Sequence, residues 1–60
     1  MEKLIELQSR LQASREVWKN KQREAMKGGE EHTYIKATGV VYGLTIAIRE
    51  IGILLKIELA

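Results

Sequence analysis

Apolar residues recur in the first half of the chain at the three- and four-residue spacing of one helix face. This heptad pattern of a and d positions is apolar at five of its seven places, which are Leu4, Leu7, Leu11, Ser14, Trp18, Lys21 and Ala25. The intervening residues are strong helix formers, and Glu6 and Arg10 form a favourable i,i+4 pair. The pattern predicts an amphipathic helix over about residues 2–27.

The second half of the chain restarts the heptad after a break at Gly28 and Gly29. Glycine readily adopts the left-handed conformation that ends helices, so a turn is predicted over about 28–30 and a second helix over about 31–58. Apolar residues then fill all seven a and d positions, which are Tyr34, Ala37, Val41, Leu44, Ile48, Ile51 and Leu55. Val40, Ala47 and Leu54 lie beside them. The first register, continued across the glycines, would instead select His32, Ile35, Gly39 and Tyr42. Two antiparallel helices, an all-α hairpin forming one domain over residues 1–60, are therefore predicted.

A strand is the alternative for the second half, which is rich in β-branched residues and alternates apolar and polar positions between residues 50 and 59. The helix is favoured because Lys36, Arg49, Glu50 and Lys56 fall on two adjacent heptad positions. A strand would scatter these charges over both faces of a sheet.

The apolar arc of the second helix is wider than one partner helix can cover. Exposed Ile and Leu side chains forfeit about 1.5–3 kcal/mol each and promote aggregation, so a further surface should cover them. Two hairpins related by a two-fold axis, giving a four-helix bundle, are the simplest solution. The residues predicted to form this homo-oligomer interface are Leu4, Leu7, Leu11, Trp18, Val40, Val41, Leu44, Ala47, Ile48, Ile51, Leu54 and Leu55.

Small residues follow one another at four-residue spacing on the second helix, at Gly39, Gly43 and Ala47. A glycine inside a helix costs about 1 kcal/mol relative to alanine, so a packing reason is expected. Either the glycines relieve crowding inside the hairpin, or they form a close-packing groove for another chain.

Composition excludes most catalytic chemistry. The sixty residues contain one His, no Cys, no Asp and no Pro, so neither a disulfide nor a thiolate site can form. His32 beside Glu30 and Glu31 lacks the converging ligands of a metal site, and no Gly-rich phosphate loop is present. A non-enzymatic protein without cofactor, metal or small-molecule substrate is predicted.

Neither a signal peptide nor a membrane span fits the sequence. Glu2, Lys3 and Glu6 lie where a signal peptide needs an apolar core, and Arg49 and Glu50 interrupt the most apolar stretch. A cytoplasmic location is therefore expected.

The charge pattern contains one notable feature, a row of four cations spaced four residues apart on the first helix: Arg15, Lys19, Arg23 and Lys27. The formal net charge is only +2, so the row is either a solvated face or a contact surface for an acidic protein or for nucleic acid.

Two functions remain open at this point. The first is a small interaction protein, acting as an inhibitor, adaptor or assembly factor; its compactness is typical of phage and mobile-element products. The second is nucleic-acid binding through the four cations. In plan, though in no sequence motif, the chain is similar to Rop-type RNA-binding hairpins, which dimerise; that resemblance is one of architecture alone.

Overall fold

The computed structural model shows two helices joined by a tight turn. It describes residues 2–59, and the side chains of residues 2–57, so the end positions of the predicted domain lie outside the described residues. Helix α1 runs over Glu2–Gly28 and helix α2 over Glu31–Leu59. The two pack against each other as a hairpin about 46 Å long. The predicted all-α hairpin is confirmed, and the strand alternative for the second half is wrong.

Two of the β-branched residues in α2 are threonines that hydrogen-bond within the helix. The hydroxyl groups of Thr38 and Thr45 donate to the carbonyl oxygens of Tyr34 and Val41, each at 2.8 Å. A threonine bonded in this way to the preceding turn exposes no unsatisfied polar group. Apolar contact with α1 along the other face then outweighs the strand preference of the local sequence.

The turn between the helices is a Schellman motif. The Glu30 amide donates to the carbonyl of Ala25 at 2.9 Å, and the Gly29 amide donates to the carbonyl of Met26 at 3.4 Å. Gly29 has φ of 70°, and no other described residue has a positive φ. The next amide pairing, from Tyr34 to the carbonyl of Glu30 at 2.9 Å, begins α2. Gly29 therefore reverses the chain.

The two turn glycines give a matched test of this geometry. Replacing Gly29 with Ala should lower the free energy of unfolding by about 1–2 kcal/mol, since an L-residue is strained in the left-handed region. Replacing Gly28, which lies in the last turn of α1, should raise it by up to about 1 kcal/mol through helix propensity. Urea titrations followed by circular dichroism at one protein concentration would measure both. Equal effects at the two positions would contradict the turn described here.

The contact between the helices, here called the seam, follows the predicted register in α2. The most buried residues of the described chain are Ala25, Ala37, Ile48, Ile51 and Leu55. Four of these belong to α2, and two of the five are alanines. The hairpin core is therefore thin and is formed mainly by α2.

The register predicted for α1 is wrong at every second position. Leu4, Leu11, Trp18 and Ala25 face the seam as expected, whereas Leu7, Ser14 and Lys21 are exposed. Their places are taken by the partly buried residues one position later, Gln8, Arg15 and Gln22. Helix α1 thus presents a row of polar side chains along one edge of the seam.

Candidate interaction surface

Large apolar side chains remain uncovered on the hairpin. Within the described residues the well-exposed large hydrophobic side chains are Ile5, Leu7, Val17, Met26, Ile35, Tyr42, Ile53, Leu54 and Ile57. Together they outnumber the buried apolar residues. The hairpin therefore leaves more large apolar side chains in water than it buries in its own core.

The residues predicted for an oligomer interface fall into three groups. Ile48, Ile51 and Leu55 are buried in the seam and hold the hairpin itself together. Seven are partly covered, namely Leu4, Leu11, Trp18, Val40, Val41, Leu44 and Ala47. Leu7 and Leu54 are exposed. The last two groups are available for contact with a further chain.

Several exposed apolar residues lie outside the predicted oligomer interface, chiefly Val17, Ile35, Tyr42, Ile53 and Ile57. The last four lie on the face of α2 that is turned away from α1. The register continued from the first helix had indicated part of this face, because it selected Ile35 and Tyr42. Helix α2 therefore carries two apolar stripes, and only one of them contacts α1.

The helix glycines Gly39 and Gly43 lie outside the hairpin contact. A Cβ atom built at either position would meet nothing within 4 Å, so these glycines do not relieve crowding inside the hairpin. Gly52 differs, because a Cβ there would lie 3.5 Å from Nε2 of Gln8. The small-residue row Gly39, Gly43 and Ala47 therefore begins on the outer surface of α2.

One flank of the seam is polar. The side-chain amide of Gln22 donates to the hydroxyl of Thr38 at 2.8 Å, and that of Gln8 lies 3.5 Å from the carbonyl oxygen of Ile48. Between them, Nε of Arg15 is buried with no hydrogen-bond partner among the described residues. This polar flank is defined by Gln8, Arg15 and Gln22.

Trp18 lies across the opposite flank of the seam. The Nζ atoms of Lys21 and Lys36 lie 4.3 Å and 5.9 Å from the centre of its ring. Both cations approach the ring closely enough for cation–π attraction. One comes from each helix, so Trp18, Lys21 and Lys36 mark a single flank, on the side away from Gln22 and Thr38.

The row of four cations does not form a straight stripe. Residues four apart turn by about 40° around a helix, so the row winds from the seam at Arg15 to the outer face at Lys27. Lys19 lies 3.8 Å from a carboxylate oxygen of Glu16, and Arg23 donates to the side chain of Asn20. The four cations therefore do not share one helix face.

Residues 2–59 contain neither a candidate metal site nor a candidate membrane span. No three His or Glu side chains of these residues are grouped so as to hold a metal ion, and His32 is exposed. Neither described helix combines the length and the apolar character needed to cross a bilayer.

Comparisons with known protein families, with curated proteins and with solved structures find no match to this chain.

Proposed function

We propose that the protein is a non-enzymatic interaction protein, a helical hairpin that associates with itself into a four-helix bundle and occupies the surface of another protein. In this role it acts as an inhibitor, adaptor or assembly factor. The observation that carries the proposal is the set of uncovered large apolar side chains, which outnumber the buried residues of the hairpin core.

The thin seam supports self-association. Below about 70–80 residues a single core supplies little net stability, and small proteins compensate with disulfides, metals or oligomerisation. This chain has no cysteine, and the described residues form no metal cluster. A second hairpin would cover Leu7, Val40, Ala47 and Leu54, which lie along one side of the molecule.

The outward face of α2 supports a second, different contact. Ile35, Tyr42, Ile53 and Ile57 are all about half exposed or more and share one face of the helix. They point away from α1, so a hairpin packed against the flank of the seam leaves them largely free. A protein partner with an apolar groove fits this face as a helix-in-groove contact.

Two measurements test the proposal. Light scattering over a range of concentrations should give twice the 6.9 kDa chain mass. A tagged pull-down from source-cell lysate should retain a protein partner after nuclease treatment, and the variant Ile35→Gln/Tyr42→Gln/Ile53→Gln should release it while remaining dimeric. A monomer at all concentrations, or a partner retained equally by the variant, would contradict the proposal.

The same pull-down separates the nucleic-acid alternative. If nucleic acid is recovered, the variant with Gln at all four cations of the row should be compared with one carrying Gln at Lys3, Lys21, Arg49 and Lys56. Both variants remove the same charge. We expect the two variants to lose the same amount of nucleic-acid binding, as for non-specific attraction. A loss seen only in the variant of the row would favour the Rop-like alternative.

A further inference from the structure

The flank marked by Trp18, Lys21 and Lys36 carries a regular pattern on both helices. Positions three and four apart along this flank belong to one helix face. In α1 they are Arg10, Ser14, Val17, Lys21 and Glu24, and in α2 they are Lys36, Val40, Gly43, Ala47, Glu50 and Leu54. We call this surface the Val17–Gly43 flank.

Apart from Lys21, the charges on this flank are arranged antisymmetrically about one central residue in each helix. In α1 a cation, Arg10, precedes Val17 by seven residues, and an anion, Glu24, follows it by seven. In α2 Lys36 and Glu50 stand at the same distances from Gly43. Val40 and Ala47, both apolar, lie between Gly43 and the charges. Reversal of either helix would therefore place cation opposite anion, and in α2 it would also place Val40 opposite Ala47.

The two centres lie at the same height along the hairpin. The register of the helices is given by the contact of Gln22 with Thr38 near the turn and of Gln8 with Gly52 near the free end. Both pairs lie fourteen residues apart in each helix, so the helices run alongside each other without slippage. Val17 is five residues from Gln22, and Gly43 is five residues from Thr38, which brings the centres level.

We infer that the Val17–Gly43 flank is the surface by which a second copy of this chain binds, with a two-fold axis that runs across the hairpin from Val17 to Gly43. This inference rests on the proposed self-association and specifies its geometry. Each α1 runs antiparallel to α1 of the second copy, and each α2 to its counterpart. Arg10 then faces Glu24 of the second copy, and Lys36 faces Glu50 of the second copy. The two-fold axis repeats both pairs.

The state of these charges in the single hairpin is consistent with that arrangement. Among the described residues, Glu24, Lys36 and Glu50 form no ion pair, whereas Arg10 is paired with Glu6 of its own helix at 2.7 Å. Lys36 instead shares the Trp18 ring with Lys21, so two cations approach one ring. The carboxylate of Glu50 from a second copy would supply the opposite charge that the single hairpin does not.

The same charges fit one competing two-fold arrangement, in which the axis runs along the hairpin and α1 packs on α2 of the second copy. Because Arg10 is level with Glu50 and Glu24 with Lys36, a cation would face an anion there as well. Val17 would then lie against Gly43 of the second copy and away from the second Val17. The position of Val17 in the dimer therefore separates the two arrangements.

The middle of the flank has the shape that close contact requires. Val17 is 52% exposed, and Gly43 has no neighbouring atom within 4 Å of a built Cβ. In the dimer Gly43 lies against Gly43 of the second copy, with Val40 against Ala47 on either side. Without side chains at the crossing point, the two α2 backbones approach closely and bring the flanking charges within reach.

Charge reversal tests the inference directly. An acidic variant, Arg10→Glu/Lys36→Glu, places four carboxylates on the flank beside Lys21, and a basic variant, Glu24→Arg/Glu50→Lys, places five cations there, Lys21 included. Each alone should dimerise about tenfold to a hundredfold more weakly than the parent, because all four contacts become repulsive. Mixed together, the two variants should form a one-to-one heterodimer with parental affinity, measured by sedimentation equilibrium.

Two controls separate this geometry from general charge effects. A variant with all four reversals keeps the parental net charge and should dimerise like the parent, because every pair is exchanged. The variant Lys19→Glu/Arg49→Glu changes the net charge as the acidic variant does, but on the polar flank, and should dimerise about as tightly as the parent. Helicity by circular dichroism verifies that each variant is folded.

Covalent trapping gives a second measurement that is independent of charge. The chain has no cysteine, so Val17→Cys introduces a single thiol at the proposed axis, and oxidation should yield a disulfide dimer far faster than with Gln12→Cys on the other side of α1. If the parent dimerises but charge reversal has no effect, or the Val17→Cys variant oxidises no faster than the Gln12→Cys variant, this geometry is wrong while the proposed function stands. A monomeric parent would contradict both.

Discussion

Replacing Ile51 with Ala is expected to lower the free energy of unfolding of the hairpin by about 2–4 kcal/mol, through lost apolar burial and the cavity left in the seam. Ile51 is only 8% exposed and is one of few buried residues in a thin core. A loss of this size exceeds what a two-helix domain can spare, so most molecules should be unfolded at 25 °C. Circular dichroism at 222 nm at a fixed protein concentration would show the loss of helix.

Ile53 provides the matched control, two residues along the same helix. It undergoes the same change in volume and in helix propensity on replacement by Ala, but it is 48% exposed and lies on the outward face. We expect its substitution to change the free energy of unfolding by less than about 1 kcal/mol. If the two variants unfold alike, Ile51 does not form part of the hairpin core.

Gly43→Leu should have opposite effects on the hairpin and on its assembly. No atom of the chain lies within 4 Å of a Cβ at this position, so the leucine meets no obstacle within the hairpin. It should raise helix stability by about 1 kcal/mol, since glycine is the poorest helix former after proline. At the two-fold axis, however, two leucines would replace two glycines and force the α2 backbones apart. The expected result is a monomer with greater helicity.

Light scattering and circular dichroism on the same samples would separate these two effects. Gly43→Ala should give an intermediate loss of dimer, because a methyl group is smaller than an isobutyl group. Tyr42→Leu, a change at an exposed neighbouring residue on the outward face, should leave the dimer intact. An unchanged mass and an unchanged melting curve for Gly43→Leu would rule out close packing at this glycine.

The register of α2 was predictable because its apolar residues leave little choice. Every a and d position from Tyr34 to Leu55 is apolar or alanine, and the structure turns the same set towards α1. Helix α1 offered no comparable signal. Its positions 14 and 15 are both polar, as are positions 21 and 22. Only Leu7 against Gln8 distinguished the two registers, and it favoured the wrong one.

The physical reason why the register of α1 differs from the predicted one lies in α2. Thr38, Thr45 and Gly52 follow one edge of its seam face at seven-residue spacing, and they leave room and hydrogen-bonding groups for long polar side chains. Gln22 bonds to the Thr38 hydroxyl, and Gln8 lies over Gly52. Such a match between helices depends on their relative rotation, and periodicity within one helix does not contain it.

The candidate surface was predictable only in part for the same reason. Leu7, Ala47 and Leu54 were identified as assembly residues from their apolar character alone. Val17 was missed because it belongs to neither register of α1. The opposite charges around Gly43 are visible in the sequence. That they lie at the same height along the hairpin as the charges around Val17 becomes apparent only once the seam is known.

The polar flank has a consequence for how the helices find each other. Gln8, Arg15 and Gln22 repeat every seven residues, and so do Thr38, Thr45 and Gly52 opposite them. A slip of one helix by a full heptad would therefore bring Gln22 to Thr45 and keep the apolar positions of the two helices in phase, with only the end layers losing their partners. Side chains alone scarcely distinguish these alignments. The alignment is instead selected by the connection, in which Gly29 and Glu30 are too short a tether to permit the slip.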